Sequence, residues 1–247
     1  MLDQLGALIS QFFNTLLITL FNLVNNVIAI PFSIERVNEI QEATWQTLKM
    51  LVVSGIFSLL FGIILGVIVV VTKNGGIMEN KTISFICDKI INFFRSVPFV
   101  ILIGLLLVVT RFISGTAIGV EGTYVPLIFG TTPFFARQIE SALEEVDYGL
   151  IEASLSMGDT PFQIIFRVYL RESIPGIVRG TTITFISLIG LTAMAGQVGG
   201  GGLGNFAIRY GYQRGIYEAT WVSIIIILII VSAIQALGDL IIKKTTH

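Results

Sequence analysis

Side chains that could do covalent or proton-transfer chemistry are scarce in this chain of 247 residues. The single cysteine, Cys87, excludes an intrachain disulfide, and the single histidine, His247, is the last residue. No Ser/His/Asp set can be assembled, no metal-ligand cluster stands out, and neither HExxH nor the GxxxxGK[ST] phosphate loop occurs. Catalytic residues, a metal and a cofactor are therefore not expected on this chain, and any ATP chemistry must come from another one. What the sequence offers instead is recognition chemistry, concentrated in residues 147–176. Glu152 supplies an acid for surface pairing, Ala153 a small residue for close approach, and Gly158 a turn.

The local signals predict two short helices. Asp147 can cap the first, and Gly158 sits where it would end in a left-handed turn. Thr160, Pro161 and Gln163 then supply an N-cap, a proline at the first helical position and the third residue of a capping box. Membrane-length apolar runs flank the pair, so it reads as a rigid knob held at a membrane surface, where a partner could grip it.

The elements that position this knob are apolar. Hydrophobic residues make up 54% and charged residues 13%, where a soluble domain carries about 25% charged. The net charge of −1 leaves no electrostatic footprint for nucleic acid. The predicted fold class is an all-α integral membrane protein with about five core transmembrane helices. Their apolar runs lie near 50–71, 92–110, 124–139, 177–195 and 219–242, where about 20 residues cross the hydrocarbon layer. Ser96 and Pro98 are expected to start the second, and Thr132 and Pro133 could restart the third after an interruption at 130–133. Ser54, Ser58, Gly62 and Gly66 recur at every fourth position of the first, a stripe that permits close helix contact.

The segment 5–30 is uncharged and amphipathic, with no positive n-region to make it a signal peptide. It reads either as an interfacial helix or as an extra span with its amide face on neighbours. The expected organisation is thus 1–41, an N-terminal amphipathic helix and linker, followed by 42–244, the membrane domain. Lysine and arginine gather in the loops that hold Lys73, Lys81, Lys89 and Arg167, and at Lys243 and Lys244. That bias places the knob and the C-terminus in the cytoplasm. So few helices from one chain would struggle to enclose a path, so a second copy of the chain is expected, within membrane lipid.

The knob resembles the EAA loop of ABC-importer permeases: EAA, three residues, Gly, nine residues, then I-x-L-P. Glu152, Ala153, Gly158 and Leu170 match in register, whereas Ser154, Val168 and Arg171 depart from the pattern. Arg171 in place of proline lets the second helix continue toward Ser173 or Ile174, with Pro175 the first residue that would break it. The stretches NFFRSVPFVIL from Asn92, GTAIG from Gly115, PFFAR from Pro133 and AMAGQVGGGGLG from Ala193 resemble the methionine-importer permease family. The likeness covers about 46–243. It implies two ATP-binding ABC subunits, an extracytoplasmic solute-binding protein, a bacterial cytoplasmic membrane location and ATPase-coupling roles for Glu152, Ala153, Ser154, Gly158, Leu170 and Arg171. The expected function is permeation by alternating access.

Candidate path or gate residues are Thr184, Ser187, Met194, Gly196 and Gly200. The fourth-span hydroxyls either line a polar path or bond back to helical carbonyls. The run 199–204 contains GxGxxG but follows a span rather than a strand, so it reads as a hinge or close-packing element, or as a surface loop. An ion-coupled secondary transporter is the alternative. It is disfavoured because no span holds Asp, Glu or Lys near its centre, where a charge costs about 2.5–3.5 kcal/mol and persists for function. An importer for another small solute is a further alternative.

Overall fold

The computed structural model describes residues 34–245, so the reading of segment 5–30 lies outside the described residues. Helix α1 (Ile34–Thr72) leads; at 1.5 Å per residue it is about 58 Å long, nearly twice the hydrocarbon thickness. The charged residues Glu39 and Glu42 lie inside it rather than in a linker ahead of it. Helix α2 (Lys81–Ser96) follows a short turn, then α3 (Phe99–Leu105), α4 (Leu107–Ser114) and α5 (Glu121–Glu144). The knob comprises α6 (Tyr148–Ser156) and a second rod, α7, at 161–172. Helix α8 (Ile174–Ala195) returns across the bundle, a glycine-rich segment carries α9 (Gly202–Phe206), and α10 (Tyr217–Thr245) closes the chain.

Three helices among the described residues, at Val37–Thr72, Ile174–Gly200 and Tyr217–Thr245, are long and apolar enough to cross a membrane. The other two expected spans take different forms. Residues 92–96 belong to α2, and Ser96 ends that helix with its hydroxyl donating to Phe93 O at 2.9 Å. It caps nothing, so the next helix begins after Pro98 without a side-chain cap. That next stretch is itself broken at Leu106 (φ −89°, ψ 3°). Conversely, the interruption expected at 130–133 is absent, and α5 runs unbroken through Pro126 and Pro133. Each proline removes one backbone hydrogen bond. The fully buried Phe135, Ala136 and Ile139 hold the continuation in place by packing.

The seam between α1 and α5 is built from the predicted small-residue stripe. Ser54 and Ser58 are buried. A carbon added at Gly62 would lie 2.5 Å from Phe135 Cδ1, and one at Gly66 2.6 Å from Ile139 Cβ and 2.8 Å from Ala136 O. In lipid no hydrophobic force drives helix against helix, so such close approach supplies the attraction by dispersion. Glycine performs the same service between α8 and α5, where carbons at Gly176 and Gly180 would meet Ala142 and Gln138 at 2.8 Å.

The glycine-rich segment is a packed plug, not a surface loop. Gly202 N donates to Gln46 Oε1 and Leu203 N to Thr47 Oγ1, both at 2.8 Å, so α1 side chains cap the start of α9. Asn205 Nδ2 donates to Gly196 O at 2.9 Å. Gly199 and Gly201 adopt φ of +94° and +78°, which other residues reach only with strain. Gly119 N donates to Gly199 O at 3.0 Å and ties the α4–α5 loop to the same end.

Gly66→Leu is expected to lower the thermal midpoint of the purified protein sharply, because backbone and Ile139 leave no room. Ser58→Ala is expected to leave it unchanged or raise it, because the buried Ser58 hydroxyl has no hydrogen-bond partner to lose. Thermal unfolding of the two variants in one detergent measures the contrast.

Candidate functional site

Local chemistry shapes the knob as predicted. Asp147 Oδ1 accepts from Gly149 N at 2.7 Å at the start of α6. Gly158 has φ +85°, with open space around it. The Thr160–Gln163 capping box is present at the start of α7, with Pro161 in the first turn. Ser154 is buried, and its hydroxyl donates to Asp159 Oδ2 at 2.6 Å, across the turn. Arg167 approaches Asp159 from α7 at 3.9 Å. The serine standing where the EAA pattern has alanine therefore helps to bind the two rods together.

Rod α7 contains a π turn, Ile165–Tyr169, and runs through Arg171 to Glu172. Ser173 (φ −86°, ψ 4°) then makes the bend, its hydroxyl donating to Tyr169 O at 2.6 Å. Pro175 falls in the first turn of α8, where its missing N–H removes no helical bond. The knob is anchored by Ile151, Ile164 and Tyr169, which share one apolar cluster with Val70 of α1 and Phe135, Ile139 and Leu143 of α5. Burial pushes the Tyr169 phenol above its usual range, so it serves as a neutral anchor.

Of the predicted docking residues, Glu152, Ala153, Gly158 and Arg171 face outward, whereas Ser154 is buried and Leu170 packs against the cluster. The structure adds an exposed apolar set: Met157 at 77%, Phe162 at 66% and Phe166 at 67%. The sequence reading does not single these out. The i,i+4 spacing of Phe162 and Phe166, opposite Ile164 and Ile165, is the signal that carries them.

The predicted path residues separate. Ser187 and Met194 line a groove of about 500 Å³ between the start of α3, α5 and α8, together with Arg95, Thr131, Phe134 and Leu191. Thr184 is buried, with its hydroxyl donating to Gly180 O at 2.7 Å, and Thr181, Thr182 and Thr192 likewise bond within their own helix. Gly196 and Gly200 are buried in the plug against Asn205 and Thr123. The groove is open along α8, where Ile183, Ser187, Gly190 and Met194 form an exposed stripe.

Residues 58–246 match the family model described as the inner membrane component of binding-protein-dependent transport systems. A probable D-methionine transport system permease protein of Vibrio cholerae is 45% identical over 205 residues, 83% of this chain and 91% of that protein. The methionine import system permease protein of Bacillus subtilis is 45% identical over 203 residues, 82% and 91% of the two chains. Among solved structures, an inward-facing form of the MetNI methionine ABC transporter superposes with a TM-score of 0.85 at 41% identity, covering 87% of this chain and all of that one. An amino acid ABC transporter at 18% identity, with a TM-score of 0.70, shares the fold.

Because Gly158 has space but a left-handed backbone, Gly158→Val is expected to cost roughly 1–2 kcal/mol and Gly158→Asn much less. Limited proteolysis of the purified variants checks this, with the valine variant cut earlier at the knob.

Proposed function

Because the chain belongs to the family of inner-membrane components of binding-protein-dependent transport systems, we propose that it conducts methionine into the cytoplasm as the permease subunit of an ATP-driven importer. It is a transport component, not an enzyme; ATP hydrolysis belongs to separate partner subunits. The observation that carries the reading is the knob: a capped hairpin with outward-facing apolar side chains, locked by Ile151, Ile164 and Tyr169 to the helices that form the bundle. Polar surface would suffice for a loop in water. Exposed Met157, Phe162 and Phe166 are what a surface gripped by another protein requires.

In this reading the knob lies in the cytoplasm of a bacterium, as the lysine and arginine bias supports, and each of two ATPases holds one knob in a surface cleft. A second copy of the chain covers the exposed α8 stripe and closes the path between the protomers. A solute-binding protein delivers methionine at the glycine-rich end. ATP binding draws the ATPases together and moves the knobs. Work is done on the path only because ATP-bound and ATP-free partners prefer different permease conformations. Glu152 and Ala153 sit on the exposed side of α6 for pairing and close approach, and Gly158→Leu uncouples hydrolysis from uptake or prevents assembly.

The test is uptake of labelled methionine by the complete complex in proteoliposomes, with ATP inside and competing amino acids outside. Vanadate-sensitive uptake competed by methionine is expected. Uptake that needs no ATPase and collapses with an ionophore would instead identify a secondary carrier. Replacing Phe162 and Phe166 together by Asp is expected to lower ATPase co-purification by about tenfold or more, the scale of losing a buried aromatic anchor. The permease alone should keep its thermal midpoint, since both side chains are exposed.

A further inference from the structure

Two polar groups lining the groove, Arg95 and Thr131, belong to neither the knob nor the plug. Arg95 lies in the last turn of α2 and lines the groove. Among the described residues it forms no salt bridge or hydrogen bond. Arg137, by contrast, donates to Asp88 at 2.8 Å and to Glu140 at 2.6 Å, and Lys73 pairs with Glu144. Thr131 lines the same groove from α5, is 2% exposed, and its hydroxyl has no hydrogen-bond partner. The contrast with α8 is direct, because four threonines there return their hydroxyls to carbonyls of their own helix.

A buried hydroxyl without a partner costs free energy, and an unpaired guanidinium beside apolar walls attracts an anion that can accept several N–H bonds. No acidic side chain lines the groove. From this juxtaposition we infer that the groove is a carboxylate-holding station on the path, with Arg95 and Thr131 receiving the α-carboxylate of an amino acid. The site rests on the amino-acid import reading and deepens it. Phe134, Leu191 and Met194 supply the apolar wall for an uncharged side chain, with the polarizable thioether of Met194 suited to a sulfur-containing one. Its volume of about 500 Å³ falls in the small-molecule range of roughly 300–1,000 Å³. Arg95 and Thr131 act as specificity determinants: the carboxylate is held strongly enough to leave the delivering protein and weakly enough to move on, the general requirement for conduction.

The experiment uses the permease–ATPase complex in phosphatidylcholine vesicles and photo-methionine, a diazirine amino acid that retains its carboxylate. Labelled peptides of this chain are read by mass spectrometry. Labelling of the α5 and α8 segments around Thr131, Leu191 and Met194 is expected. Excess methionine or N-acetylmethionine should compete with it, and methioninamide, which lacks the carboxylate, should not. Arg95→Gln should reduce labelling and methionine uptake by about tenfold or more, as loss of a charge-assisted hydrogen bond implies. Arg95→Lys should retain most of both, and Thr131→Val should weaken labelling by a smaller factor. Arg95 is exposed and has no ion pair or hydrogen bond among the described residues, so its replacement leaves the fold intact, which an unchanged thermal midpoint verifies.

Equal competition by methioninamide, undiminished labelling in Arg95→Gln, or absence of groove labelling in a complex that transports methionine would overturn the station while leaving the import reading in place. A wild-type complex that transports no amino acid would remove both. Adding phosphatidylglycerol to the vesicles separates the other source of an anion. If it abolishes Arg95-dependent labelling, the guanidinium belongs to a lipid headgroup and the proposal falls.

Discussion

The seam between α1 and α5 is the contact on which the remaining structure depends. Gly62 and Gly66 allow the two backbones to approach until Phe135 and Ile139 lie directly against α1. A methyl group at either position would need the space of a ring or of a backbone carbonyl. In a membrane this contact is held by shape, since lipid tails are as apolar as the helix surfaces they would replace. The same cluster extends from Val70 to the knob through Ile151, Ile164 and Tyr169, so the knob and the seam form one packed body.

That continuity gives the knob mechanical meaning. It connects the end of α5 to the start of α8, and those two helices carry Thr131 on one wall of the groove and Ser187 and Met194 on the other. Interiors packed this closely transmit displacement rather than absorbing it. In the proposed transport cycle, a displacement of the knob would therefore reach both walls at once. The part-buried Ser154–Asp159 hydrogen bond, the Asp147 cap and the Thr160–Gln163 capping box hold the hairpin in one shape. At the opposite end, Gln46 and Thr47 pin the glycine-rich plug to α1, so the same long helix contacts both the plug and the knob.

Much of this was legible in residue order because it is local. The caps at Asp147 and Thr160, the left-handed turn at Gly158 and the small-residue stripe on α1 are set by side chains within a few positions of each other. Where two local signals competed, the longer-range term won. Thr132 and Pro133 resemble a helix start, yet α5 passes through them because Phe135, Ala136 and Ile139 are held by neighbouring helices. Ser96 resembles an N-cap, yet it closes α2, because the break falls after it at Pro98. Thr184, Gly196 and Gly200 share a helical tract with Ser187 and Met194, but helix rotation and the folded-back plug bury the first three.

The sequence by itself determined the membrane class, the absence of a phosphate loop and the hairpin with its EAA register. These follow from composition and from spacing over a few residues, which no tertiary contact changes. Only the tertiary structure decided which surface of the hairpin is free and which side chains share the groove. Exposure of Phe162 and Phe166 depends on Ile164 and Tyr169 being claimed by the seam. The meeting of Arg95, Thr131 and Ser187 depends on three elements far apart in the chain being brought together by glycine-mediated close packing.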